Sequence, residues 1–198
     1  MNALTRVSQG VNVTLTFDDV LELIYAQTVQ IIPTSHFHIT LYNKKSDYFY
    51  YGFCVENNER IPDRENLPFS TSSGLSPEVI RKSRPIITQD YIRECQARSL
   101  TPILENVFAW MGVPLNAGAE SIGALSIGNR DGITVYTRGQ LDLLQAIADQ
   151  TAGAIVKARL LEETEQRARQ LSTLNEITRQ LTSLSLIHIS EPHETVLD

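Results

Sequence analysis

Ahead of residues 184–198, Cys54, Cys95, His36 and His38 are the cysteines and histidines of this 198-residue chain, the types that suit thiol or metal chemistry. A thiol attacks or ligates as the thiolate, so either cysteine would need a lowered pKa to react. His36 and His38 are two apart in an alternating segment, so both imidazoles project from one face. Two imidazoles at that spacing suit a divalent cation, but no third His or Cys follows at a recognisable ligand spacing. Two cysteines alone form neither a disulfide framework nor a zinc site. Mid-strand, Cys54 reads first as a small core residue, the usual role of a free thiol. No phosphate loop, nucleophile elbow, metalloprotease motif or His–Asp–Ser constellation is legible, so no catalytic or metal-binding residue is assigned.

The elements that must position these residues follow from periodicity. Phe17–Ile32 reads as a helix from Phe17, Val20, Leu21, Ile24, Val29 and Ile31, with Thr16 as N-cap and Pro33 as its end. Leu4, Val7 and Val11 suggest a lead-in helix over 1–13. From His36 the period becomes two. Phe37, Ile39 and Leu41 fall on one face, and His36, His38 and Thr40 on the other. Asn43–Ser46 turns into a second strand, Asp47–Glu56. By parity Tyr48, Tyr50 and Cys54 share the face of His38. Residues 57–73 are a polar loop. Ser76 as N-cap and Pro77 at the first position open a short helix, Pro85–Thr88 is extended, and Asp90–Leu100 is a further short helix. Val107–Leu115 is apolar almost throughout, as in a strand covered on both faces. Ser121–Gly128 returns, and Gly123 marks a close backbone approach.

From Arg138 the pattern is helical. Leu141, Leu144, Ala148, Thr151, Ile155 and Ala158 make a core stripe. A narrower stripe, Leu171, Leu174, Ile177 and Leu181, continues among polar residues. Forty-six residues from Arg138 to Ser183 would span about 69 Å as one helix. The distal stripe therefore needs a partner helix. Residues 184–198 break the pattern and read as a non-native or disordered tail. The charge balance, 17 Lys+Arg against 23 Asp+Glu, gives −6 and argues against nucleic-acid binding. No apolar run approaches the length of a membrane helix. A reduced, cytoplasmic protein is the default expectation.

Three segments carry a family resemblance. Trp110–Leu115 (WMGVPL), Ile122–Arg130 (IGALSIGNR) and Tyr136–Ile155 (YTRGQLDLLQAIADQTAGAI) resemble the two central strands and closing helix of GAF domains. With the first helix and hairpin, the resemblance covers about residues 14–160. It implies an α+β fold: a central antiparallel sheet, GAF/PAS-like, with the N- and C-terminal helices packed on one face. The other face would be roofed by residues 57–106 over a small-molecule pocket. Residues 161–183 resemble a signalling helix.

The resemblance makes His38, Tyr50, Cys54, Tyr91, Cys95 and Trp110 the candidate ligand-binding residues, with Asp90 and Glu94 as further roof contacts. Core packing is the plainer role for Trp110; stacking on a flat ligand is the sharper one. Cys95 lies near the attachment cysteine of bilin-binding GAF domains, but Gln96 follows it where they carry His. Asn43–Lys45 is a turn and not a cyclic-nucleotide motif. The implied function is a non-enzymatic, small-molecule-sensing regulatory module. It would homodimerise through its flanking helices, Leu171, Leu174, Ile177 and Leu181 included, and relay a change to an output domain such as a histidine kinase. Its ligand and any cofactor are unknown. The alternatives are a ligand-free dimerisation spacer and a thiol-dependent methionine sulfoxide reductase-like enzyme.

Overall fold

A computed structural model describes residues 16–189. The lead-in helix expected over 1–13 lies outside the described residues, as do residues 190–198 of the expected tail. Helix α1 (Phe17–Ile31) begins with a reciprocal cap. The Asp19 amide donates to Thr16 Oγ1 at 3.2 Å, and the Thr16 amide donates to Asp19 Oδ2 at 2.8 Å. Ile32 is already extended, because Pro33 cannot continue a helix.

The sheet is open and antiparallel. Its strands are β1 (His36–Asn43), β2 (Tyr48–Glu56), β3 (Glu59–Arg60), β4 (Pro68–Phe69), β5 (Ile86–Thr88), β6 (Ala109–Ala117) and β7 (Glu120–Asn129). They lie in the order β3-β2-β1-β7-β6-β5, with β4 also paired to β2. At Gly123, a Cβ would stand 2.3 Å from the Thr40 carbonyl oxygen, so the β1–β7 approach requires glycine.

The two faces bury different things. One packs Phe37, Ile39, Leu41, Phe53, Val113 and Leu125 against Leu21 and Ile24 of α1 and Leu144, Ala148 and Ile155 of the closing helix. The opposite face is roofed by α2 (Ser76–Lys82) and α3 (Tyr91–Ala97). There Phe49, Trp110 and Ala124 meet Leu75, Val79, Tyr91 and Cys95. Ser76 is not the N-cap of α2 as expected. Leu75 holds that position without a side-chain bond, and Ser76 is the first helical residue. Asp90 caps α3, accepting from the Arg93 amide at 3.0 Å.

Helix α4 is assigned over Arg138–Ile189 and so runs six residues beyond Ser183. The chain divides into two compact units after Val156. In the first, Leu141, Leu144, Ala148, Ala152 and Ile155 are buried. In the second, Leu171, Leu174 and Ile177 are 62%, 59% and 48% exposed. The Leu181 side chain lies outside the described ones. Glu163–Arg167 and Glu165–Arg169 form i,i+4 pairs in that unit at 3.7 and 3.4 Å. Among the described residues, no helix is long and apolar enough to cross a membrane.

Candidate polar site under the roof

A register shift between β1 and β2 decides which side chains face the roof. His38 pairs with Cys54 and Ile39 with Phe53, but Thr40 pairs with Tyr51, leaving Gly52 as the extra residue. A bulge reverses the alternation on its far side. Cys54 and Tyr51 therefore both face the roof. Tyr50, placed with Cys54 by simple parity, falls instead opposite Leu41 and packs on the helix-covered core. Gly52 fits because a Cβ there would meet Leu41 Cδ1 at 2.6 Å.

On the roofed face, His38 is 1% exposed and its ring lies 4.9 Å from that of Tyr51. His38 Nε2 stands 3.5 Å from Glu56 Oε1, without hydrogen-bond geometry. The Cys54 thiol donates to the same oxygen at 4.0 Å, and the Arg64 guanidinium also contacts it. Among the described residues, the buried side-chain atoms without a hydrogen-bond partner are His38 Nε2 and Thr40 Oγ1. Both belong to β1 and both face the roof. A buried, unpaired polar atom costs about 1–3 kcal/mol, so these two are the least satisfied groups of the roofed face.

The backbone around Cys54 is fixed from outside the sheet. Glu65 Oε1 accepts from the Cys54 amide at 3.1 Å, and Arg60 Nε donates to that same oxygen at 3.0 Å. Arg60 also pairs with Asp18 and Glu22 of α1 and lies over the Phe53 ring at 4.5 Å. One guanidinium thus ties α1, β2 and the loop carrying Glu65.

Burial sets the protonation states. It pushes the Cys54 thiol up to about 12, with Glu56 adding to the effect. Burial also raises Cys95. His36 is lowered to about 4 by burial first and by neighbouring His38 second. Burial lowers His38 as well, against the opposing pull of Glu56. Glu56 is held below its ordinary range by His38 first and Arg64 also, burial opposing. At neutral pH the site therefore contains neutral imidazoles, protonated thiols and a carboxylate.

An adjoining cleft of about 370 Å³ is lined by His36, Glu56, Asn57, Arg64, Ile103, Glu105 and Arg130. Glu56 belongs to both the buried cluster and the cleft wall. Arg130 donates to Asn57 Oδ1 at 2.5 Å.

The expected site residues separate into three places. His38 and Cys54 come together. Tyr91, Cys95 and Trp110 form the apolar interior of the roof, with the Tyr91 and Trp110 rings 5.9 Å apart and both about 1% exposed. The Trp110 indole lies across Gly112, where a Cβ would meet it at 2.4 Å. Tyr50 is on the other face. Asp90 and Glu94 serve α3 itself, as its cap and as the partner of Arg98. Glu56 and Arg64 were missed. Glu56 had a signal, since it is two residues beyond Cys54 on an alternating strand. Arg64 had none, because a loop brings it back to the sheet.

A sequence profile of the GAF domain matches residues 14–156. The chain belongs to the GAF domain family, a family of regulatory and sensory modules of signalling proteins. Similar solved structures share the fold at low identity. The GAF domain of an Acinetobacter phosphoenolpyruvate-protein phosphotransferase is 16% identical with a TM-score of 0.62, over 75% of this chain and 87% of that one. Residues 122 to 287 of a methyl-accepting chemotaxis protein are 17% identical with a TM-score of 0.63, over 75% and 93%. The GAF domain of a two-component sensor histidine kinase from Bacillus halodurans is 13% identical with a TM-score of 0.58, over 75% and 99%. No protein of curated function matches the sequence.

Proposed function

We propose that this GAF domain senses a small polar molecule in the cleft beside His36, Glu56, Arg64 and Arg130 and relays its occupancy to an output domain. The observation that carries the reading is the cleft itself, walled by His36, Glu56, Arg64 and Arg130, with the buried, unpartnered His38 Nε2 and Thr40 Oγ1 on the same roofed face but not in its wall. A regulatory sheet face that binds nothing gains no stability from leaving two polar atoms unsatisfied. The cleft offers guanidinium and carboxylate groups together, which suits a ligand with both donors and acceptors.

Relay through a homodimer is the second part of the proposal. Leu171, Leu174 and Ile177 are exposed at the spacing of a helix-pairing seam. In the first unit, Ile31 of α1 and Leu143 and Ile147 of α4 flank a groove of about 280 Å³. A ligand shifts such a dimer only by its differential affinity for two arrangements. A histidine kinase as output domain is supported by the similar GAF domain of such a kinase.

Native mass spectrometry of gently purified protein tests the sensing role. A bound species of small-molecule mass is expected, lost in the Arg64→Ala/Arg130→Ala double variant. Ligand-free spectra, with no thermal stabilisation by a panel of polar metabolites, would overturn it. Light scattering tests the dimer, and a monomer at high micromolar concentration would contradict that part.

A ligand-free dimerisation spacer is the second reading, favoured by the close packing of Trp110 on Tyr91 inside the roof. The reductase-like reading has less support: both thiols are buried with raised pKa values, the opposite of an activated nucleophile.

A further inference from the structure

We propose that His38 Nε2, Cys54 Sγ and a Glu56 carboxylate oxygen bind one divalent transition-metal ion of the zinc class. The three donor atoms lie within 4.8 Å of one another, with His38–Glu56 at 3.5 Å and Cys54–Glu56 at 4.0 Å. Tetrahedral zinc with bonds of about 2.0–2.3 Å holds its ligands roughly 3.3–3.8 Å apart, so small side-chain adjustments suffice. The mixture of one thiolate, one imidazole and one carboxylate selects a borderline-soft ion over calcium or magnesium. His38 is nine-tenths buried and more, and its Nε2 is an unpartnered atom aimed into the cluster.

The charges balance. His38 is neutral, Glu56 is ionised, and binding replaces the proton on Cys54 with the ion: M²⁺ plus Cys–SH gives the metal thiolate and one proton released to solvent. The thiolate and carboxylate then offset the two positive charges. Glu65 and Arg60, which fix the Cys54 backbone, supply the outer support such a site needs. Three protein ligands leave one coordination position, and Glu56 borders the cleft, so the ion is reachable from there. Arg64 now contacts Glu56 Oε1 and competes with the ion for it.

This inference rests on the sheet geometry and not on what the domain relays. Sensing is read from the mass of a bound small molecule and this proposal from a cobalt titration of stripped protein, so failure of one leaves the other standing.

The test is titration of the tag-free, metal-stripped full chain with Co²⁺ under reducing conditions, followed by Zn²⁺ competition. One Co²⁺ per chain with a thiolate-to-cobalt charge-transfer band is expected, and Zn²⁺ should abolish that band. Cys54→Ser should remove the band, and Glu56→Gln should weaken binding at least tenfold. Cys95→Ser should bind as wild type, and Arg64→Ala at least as tightly. Circular dichroism verifies folding, and the partly exposed Glu56 keeps the test decisive if Cys54→Ser unfolds. No band with wild-type protein, a band surviving Cys54→Ser, undiminished affinity in Glu56→Gln, or a band lost in Cys95→Ser would each overturn the proposal.

Discussion

The two faces of the sheet solve different problems with the same strands. The helix-covered face is dry: its buried side chains are aliphatic or aromatic, and a polar neighbour such as Thr28 is satisfied by the Ile24 carbonyl at 2.8 Å. The roofed face carries His36, His38, Thr40, Cys54 and Ser126 among its buried residues. Alternation places both sets on β1, one residue apart. The first set maximises apolar burial, while in the second His38 Nε2 and Thr40 Oγ1 have no hydrogen-bond partner. The difference is one of polarity: both faces bury an apolar cluster, and only the roofed one adds buried polar groups to it.

The contrast is most sharply broken by Phe37→Ala. It empties the middle of the dry face, where Phe37 meets Tyr25 and Phe53 at ring distances of 5.3 and 6.0 Å. A loss of about 3–5 kcal/mol is expected in urea unfolding. Gly52→Val should cost up to about 3 kcal/mol, because its side chain must displace buried Leu41 at the bulge.

Arg60→Gln should cost about 2 kcal/mol by leaving Glu65, nearly buried, without its cation. The same variant tests a pH dependence. Its hydrogen bond to Arg60 holds the Asp18 carboxyl below its ordinary value of 3.8. That contribution is present above 3.8 and is lost as pH falls towards the lowered folded value. The acid limb of the stability profile should therefore be shallower in the variant.

The smallest effect has the opposite sign. Thr40→Val removes an unpaired hydroxyl from the roofed face and should stabilise the ligand-free protein by about 1 kcal/mol, while weakening whatever binds there. Thr28→Val on the dry face breaks a formed hydrogen bond and should give no such gain. Thermal unfolding of the two variants side by side measures the difference.

Much of the dry face is legible in the sequence, because apolar alternation and helical recurrence are local signals. Thr16 as a cap and the split of β1 into Phe37/Ile39/Leu41 and His38/Thr40 follow from neighbours a few residues apart, and Gly123 stands out as a strand glycine although the Thr40 carbonyl that it meets is distant in sequence. The roofed face is less legible. One extra residue at Gly52 exchanges Tyr50 for Tyr51, and strict counting through a strand glycine conceals it. The Arg64–Glu56 and Arg60–Glu65 contacts depend on a loop folding back, which no periodicity encodes. Trp110 is legible as an apolar residue, and Gly112, two residues on in β6 and on the same face, is a local signal for the indole that covers it.

An electron-density map fine enough to show water, from protein purified without added ligand or metal, tests the asymmetry between the faces most directly. The account predicts an ordered water, ion or small molecule within bonding distance of each of the two atoms, His38 Nε2 and Thr40 Oγ1, and none between α1 and the sheet. Apolar side chains closed over both atoms, with no density beside either, would contradict it.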